Sequence, residues 1–174
     1  MPNRKRTVAA KPARRNRALW PFALRLYGQA GVADAFLELQ DKHGADVPLL
    51  LAALWHGANA RGILSAAQSR EWQRISARWQ DEIVAPLRRA RRALKPLEAD
   101  AGAKRLRAGV KRAELDAERL QLRLLEMRAS PPAPAPADPA RCVGDARTNL
   151  RLFLKSGKTA AAVEKIISAL DRAP

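Results

Sequence analysis

The stretch that most constrains this chain is Val47-Pro48-Leu49-Leu50-Leu51-Ala52-Ala53-Leu54-Trp55, which holds no charged or strongly polar side chain. Wound as a helix, it turns Leu49, Leu50, Leu51, Leu54 and Trp55 onto more than one face. A helix that is apolar nearly all round is stable only where neighbours enclose it on several sides. The run is far short of the ~20 residues that a membrane-spanning helix needs. It therefore reads as the central rod of a helical core, and the rest of the chain has to supply the shell.

Composition agrees with that demand. Hydrophobic residues make up 47% of the 174 residues but aromatics only 5%, and Ala and Leu greatly outnumber Val, Ile and Thr. Strand formers are β-branched and aromatic, so the balance favours an all-α fold. The architecture expected is a compact N-terminal helical module followed by a long antiparallel helical hairpin and a small C-terminal helical hairpin. A single cysteine, Cys142, excludes an intramolecular disulfide and a Cys-rich zinc site, and reads as an incidental thiol.

Local signals divide the chain into four segments. Residues 1–17 carry a dense run of cations with Pro2 and Pro12 and no apolar period, and read as a disordered basic arm. Residues 18–129 read as the helical core domain with its long hairpin, 130–142 as a Pro-rich linker, and 143–174 as the C-terminal hairpin. Within the core, Pro21 suits a first helical turn, and the apolar pattern Phe22, Leu24, Leu26, Tyr27 ends near Gly28. A second helix puts Val32, Ala35, Phe36 and Leu39 on one face and stops at Gly44. Asp46 then caps the apolar rod, with Pro48 in its first turn. Ser65 and Gln68 form a capping box.

From that box a stripe of Trp72, Ile75, Trp79, Ile83, Leu87, Ala90, Leu94 and Leu97 continues through Pro86, where a kink is expected. Beyond Pro96 and a breaker near Gly102, Leu106, Val110, Ala113, Ala117, Leu120, Leu124 and Met127 alternate at spacings of four and three, the pattern of a heptad seam. These two helices are expected to pair antiparallel around a joint near residues 96–103.

The segments Leu19-Trp20-x-Phe22-x-Leu24-x-Leu26-Tyr27, Gly31-Val32-Ala33-x-Ala35-x-Leu37-x-Leu39-Gln40-Asp41 and Gly44-x-Asp46-Val47-x-Leu49-Leu50-Leu51-x-x-Leu54-Trp55 together resemble an uncharacterised proteobacterial family, domain of unknown function 2390. The likeness runs on through Trp79 and Pro86-Leu87-Arg88 to Arg92, while Pro48 departs from the polar residue expected there. The resemblance implies an α-helical, bacterial, cytoplasmic protein. It supplies no catalytic residue, because that family has no assigned activity.

Charge is the other strong signal. The formal net charge is +16, and residues 1–33 alone contribute +8 with no acid among them. Such an excess points to an anionic partner, nucleic acid or another polyanion, with a GC-rich codon bias toward Arg as the competing source. The candidate contact residues are Arg4, Lys5, Arg6, Arg14, Arg15 and Arg17 in the arm and Arg88, Arg89, Arg91, Arg92 and Lys95 on the helix after Pro86. Guanidinium groups at that density present forks suited to phosphate, although Glu82, Glu114 and Glu118 are available to pair with some of them. A protein partner on the same basic surfaces is equally compatible.

The competing chemistry is a small metal site or enzyme built on Asp41, His43, Asp46 and His56. Against it, His43 and His56 suit helix C-termini, Asp46 is needed as a cap, and no Ser or Cys pairs with either imidazole. Lys155-Ser156-Gly157-Lys158-Thr159 holds the tail of a phosphate-binding loop, but Leu152 stands where its first Gly belongs and no strand precedes it. The four Trp could stack on bases, but their helical spacing beside Leu and Ile favours core packing. The reading is a non-enzymatic protein with no cofactor, no bound metal and no membrane span, of open oligomeric state.

Overall fold

The computed structural model describes residues 18–134, 137–154 and 159–172. The arm lies outside them, as do Lys155, Ser156, Gly157 and Lys158 of the loop-like segment. The helices in chain order are α1 (Leu19–Tyr27), α2 (Val32–His43), α3 (Val47–Ala58), α4 (Ala66–Trp79), α5 (Ala85–Leu94), α6 (Ala101–Glu126), α7 (Pro139–Arg151) and α8 (Ala160–Arg172). A π-turn over Gln80–Val84 joins α4 to α5, and a short 3₁₀ turn, Lys95–Leu97, follows α5. The fold is all-α, with no strand among the described residues.

The apolar run behaves as its composition requires. In α3, every residue from Val47 to Gly57 is buried. The Asp46 side chain accepts from the Leu49 N–H, and Pro48 sits where a missing N–H costs nothing. Around α3 pack α1, α2, α4, α6 and α7. One continuous cluster joins Leu19, Phe36, Leu50, Trp55, Trp72, Leu125, Leu150 and Ile166. Gly44 closes α2 at φ 64°, a left-handed conformation that a β-carbon would strain.

Six sequence expectations change. The 143–174 region does not stand apart as a tethered hairpin: α7 packs along α3 and α8 along α2, completing the same core. The start of the Pro-rich stretch is tied to the core, since the Ala133 N–H donates to the Ala60 carbonyl at 2.8 Å. It ends early too, because Asp138 caps α7 and Pro139 takes the first helical position.

The capping box is only half formed. Ser65 Oγ accepts from the Gln68 N–H, but the Gln68 amide reaches across to the Arg128 carbonyl at 3.1 Å and to Ser130. Gly102 breaks nothing: it lies in the first turn of α6, which Asp100 caps.

The stripe through Pro86 shifts register. Pro86 lacks an N–H and its ring crowds the carbonyl four residues back, so the helix widens just before it. The Ala85 N–H donates to the Gln80 carbonyl, one residue further back than in an α-helix. The extra residue rotates the stripe, so that Val84 is buried and Ile83 is exposed.

The α6 seam is likewise rotated. Glu114, Ala117, Gln121, Leu122 and Leu125 face inward, whereas Leu106, Leu120 and Met127 are exposed. Apolar periodicity could not find this face, because two of its buried positions are polar.

Candidate functional site

Between α6 and the α4–α5 rod runs a ladder of polar contacts. Ser76 meets Gln121, the Trp79 indole N–H donates to the Ala117 carbonyl at 3.0 Å, Arg88 reaches Glu118 and Arg91 reaches Glu114. From Ser76 opposite Gln121 to Arg91 opposite Glu114 the numbers rise on one rod and fall on the other, so the rods are antiparallel over this span.

The lower rung is centred on Asp46. Its carboxylate accepts from the Leu49 N–H, the Ser76 hydroxyl, Gln80 Nε2 at 3.1 Å and Gln121 Nε2 at 2.6 Å. Burial pushes this carboxyl above its usual range, and the four hydrogen bonds oppose the shift. A single residue thus caps the central helix and ties α3, α4, the π-turn and α6 together.

The upper rung is ionic. Arg88 Nε lies 3.0 Å from Glu114 and its Nη2 2.9 Å from Glu118, while Arg91 forms a second pair with Glu114. Burial would raise the Glu114 carboxyl, but hydrogen bonds and charge from Arg91 and Arg88 outweigh it and hold the group below its ordinary value. Glu118 is raised, chiefly by burial and despite Arg88. Arg88 and Arg91, candidates for phosphate contact on sequence grounds, are therefore occupied inside the protein.

Arg89, Arg92 and Lys95 point outward. Arg92 approaches Asp41 at 3.8 Å, both well exposed, which is a weak pair in high dielectric. To these the structure adds Lys104, Arg105, Lys111 and Arg112 on α6, all exposed and none in an ion pair among the described residues. Arg105, Lys111 and Arg112 follow Lys104 by one, seven and eight residues, which places all four on one helical face. Sequence reasoning passed over that signal because the net charge of 96–130 is small; of the six acids that dilute it, Glu98, Glu114 and Glu118 pair with Arg107, Arg88 and Arg91.

The second constellation is not assembled. Asp46 and His56 sit at opposite ends of α3, Asp41 is exposed beside Arg92, and no group of three or more ligating side chains occurs among the described residues. His56 is not at a solvated helix end. It is fully buried, its ring edge-on to Trp72, with Nδ1 3.0 Å from the Gly62 carbonyl. A carbonyl only accepts, so Nδ1 carries the proton. Trp55 and Trp72 are fully buried, Trp79 is spent on the Ala117 carbonyl, and Trp20 lies under the Arg119 guanidinium at 5.1 Å. Cys142 is buried in α7.

The geometry defines an all-α protein in which Asp46, Gln121, Glu114 and Glu118 are held by hydrogen bonds and ion pairs between helices. The family model described as Protein of unknown function (DUF2390) matches residues 18–125. The match covers more than half of the chain, and the chain belongs to that family. No curated protein and no solved structure matches it. Among the described residues, no helix is long and apolar enough to cross a membrane.

Proposed function

We propose that this chain is a non-enzymatic helical protein that binds an anionic macromolecule through the outward cations of α5 and α6. The observation that carries the reading is the sorting of charge: Glu114 and Glu118 are drawn inward by Arg88 and Arg91, while Lys104, Arg105, Lys111, Arg112, Arg89 and Lys95 are exposed and enter no ion pair among the described residues. Phosphate or carboxylate groups of a partner would gain multiple charge-assisted contacts on such a face. Arg4, Lys5, Arg6, Arg14, Arg15 and Arg17 add cations from the arm. A binding role also accounts for the buried polar groups, since Asp46, Gln121 and Glu114 are all committed to one another's neighbours rather than facing a cleft.

The test is retention on immobilised heparin. Changing Lys104, Arg105, Lys111 and Arg112 together to Gln keeps helix propensity and removes charge. Elution at clearly lower salt with an unchanged melting temperature supports the proposal; unchanged elution refutes the α6 face.

A further inference from the structure

We propose that a stripe along α6 is the seat of an acidic amphipathic helix from a partner protein, an inference that rests on the reading of the chain as a binder of anionic macromolecules. Leu106, Ala113, Leu120 and Met127 recur every seventh residue, so they stay on one side of the helix, drifting by about 20° per step. The large ones are open to solvent, Leu106 by 58%, Leu120 by 44% and Met127 by 71%. Single exposed leucines are ordinary, but a line of them about 30 Å long is the pattern of a helix seam without its partner.

Gly109 lies within that stripe, between Leu106 and Ala113. A β-carbon there would meet only Arg112 Nη2, at 3.8 Å. Nothing in the chain's own packing calls for a glycine, and glycine weakens a helix interior relative to alanine. Close approach by another backbone is the use left for it. Beside Leu120 a hollow of about 380 Å³ opens between Trp20, Asp116, Arg119, Arg123 and Glu126, large enough for an anchoring side chain.

Charge selects the occupant. The edge of the stripe carries Arg105, Arg112 and Arg123 with one acid, Asp116, and none of them enters an ion pair among the described residues. A second copy of this strongly basic chain would bring more like charge to the interface. A helix with apolar residues every three or four positions, bordered by Asp and Glu, matches both the stripe and its edge.

The test uses a labelled 21-residue peptide with Leu on one face and Glu elsewhere, a version with Lys in place of Glu, and a scrambled acidic version, each followed by fluorescence anisotropy. The acidic amphipathic peptide should bind at least about tenfold tighter than either control. Leu106→Gln with Leu120→Gln should weaken it about tenfold with an unchanged melting temperature. Gly109→Ala should hold or raise the melting temperature and still weaken binding. Equal binding of the scrambled peptide, or indifference to these variants, overturns the inference. So does a homodimer by light scattering that Leu106→Gln with Leu120→Gln dissociates. If heparin retention falls in the quadruple Gln variant while the stripe variants change nothing, the inference fails and the broader reading stands; if retention does not fall, both fail.

Discussion

Gly57 of α3 touches the backbone of Ala146 in α7: a β-carbon on Gly57 would lie 2.2 Å from the Ala146 nitrogen and 2.5 Å from its Cα. The two helices pack backbone to backbone there, and neither can yield alone, because both sides of the contact are main chain. Gly57→Ala should therefore cost about 3 kcal/mol or more by overpacking, despite the better helix propensity of Ala. Urea denaturation checks this, and a loss below about 1 kcal/mol would mean that α7 is free to move away.

Asp46 is the junction of the buried polar ladder, so removing its carboxylate orphans several donors at once. Asp46→Ala should lower stability by about 3 kcal/mol, combining a lost helix cap with unsatisfied Ser76 and Gln121 groups. Asp46→Asn should cost less, because its amide oxygen still caps Leu49 and the Ser76 hydroxyl can turn to accept. Equal losses in the two variants would contradict the network.

The ionic rung predicts a contrast between two adjacent arginines, Arg91 and Arg92, that face opposite surroundings. Glu114→Gln leaves Arg91 without its partner in a half-buried position and should cost about 2 kcal/mol, whereas Arg92→Ala should cost less than about 0.5 kcal/mol. Because Glu114 is held below its ordinary value, its contribution is complete above the unfolded carboxylate range and is lost as pH falls through the folded value. The stability difference between wild type and Glu114→Gln should accordingly shrink in acid.

His56 gives a pH response of defined sign. Burial lowers its folded-state pKa from 6.5, with Arg61 adding to the effect and the Gly62 hydrogen bond opposing it. Below 6.5 the unfolded chain takes up a proton that folded His56 resists, so stability is full above that pH and declines beneath it until the folded value is passed. Thermal melts from pH 7.5 to 5 should fall more steeply for wild type than for His56→Asn; parallel curves would show that His56 is not the group responsible.

The first three helices were legible because their apolar periods, glycine stops and the Asp46 cap all agree on one local answer. The α6 seam was not. Leu106, Leu120 and Met127 obey the heptad better than the residues actually buried, because α6 packs against α5 through Glu114 and against α3 through Gln121, and hydrophobic periodicity cannot see a polar side chain whose partner lies on another helix. The one-residue shift at Val84 was hidden for a related reason: Pro86 announced a disturbance, but only the backbone shows that it is a widened turn rather than a bend. Within the Arg88 to Lys95 run of candidate cations, the sequence could not tell Arg88 and Arg91, which face acids, from Arg89 and Lys95, which are exposed.

The most direct measurement of the central claim is the salt dependence of binding to a 20-bp DNA duplex, used as a rigid polyanion of known charge spacing. Each phosphate contact contributes about 0.9 to the slope of log affinity against log salt. If the outward α6 face engages anions, changing Lys104, Arg105, Lys111 and Arg112 to Gln should reduce that slope by about two to three units at unchanged fold, and deleting residues 1–17 should reduce it further. A slope that stays the same in the quadruple variant would contradict the account.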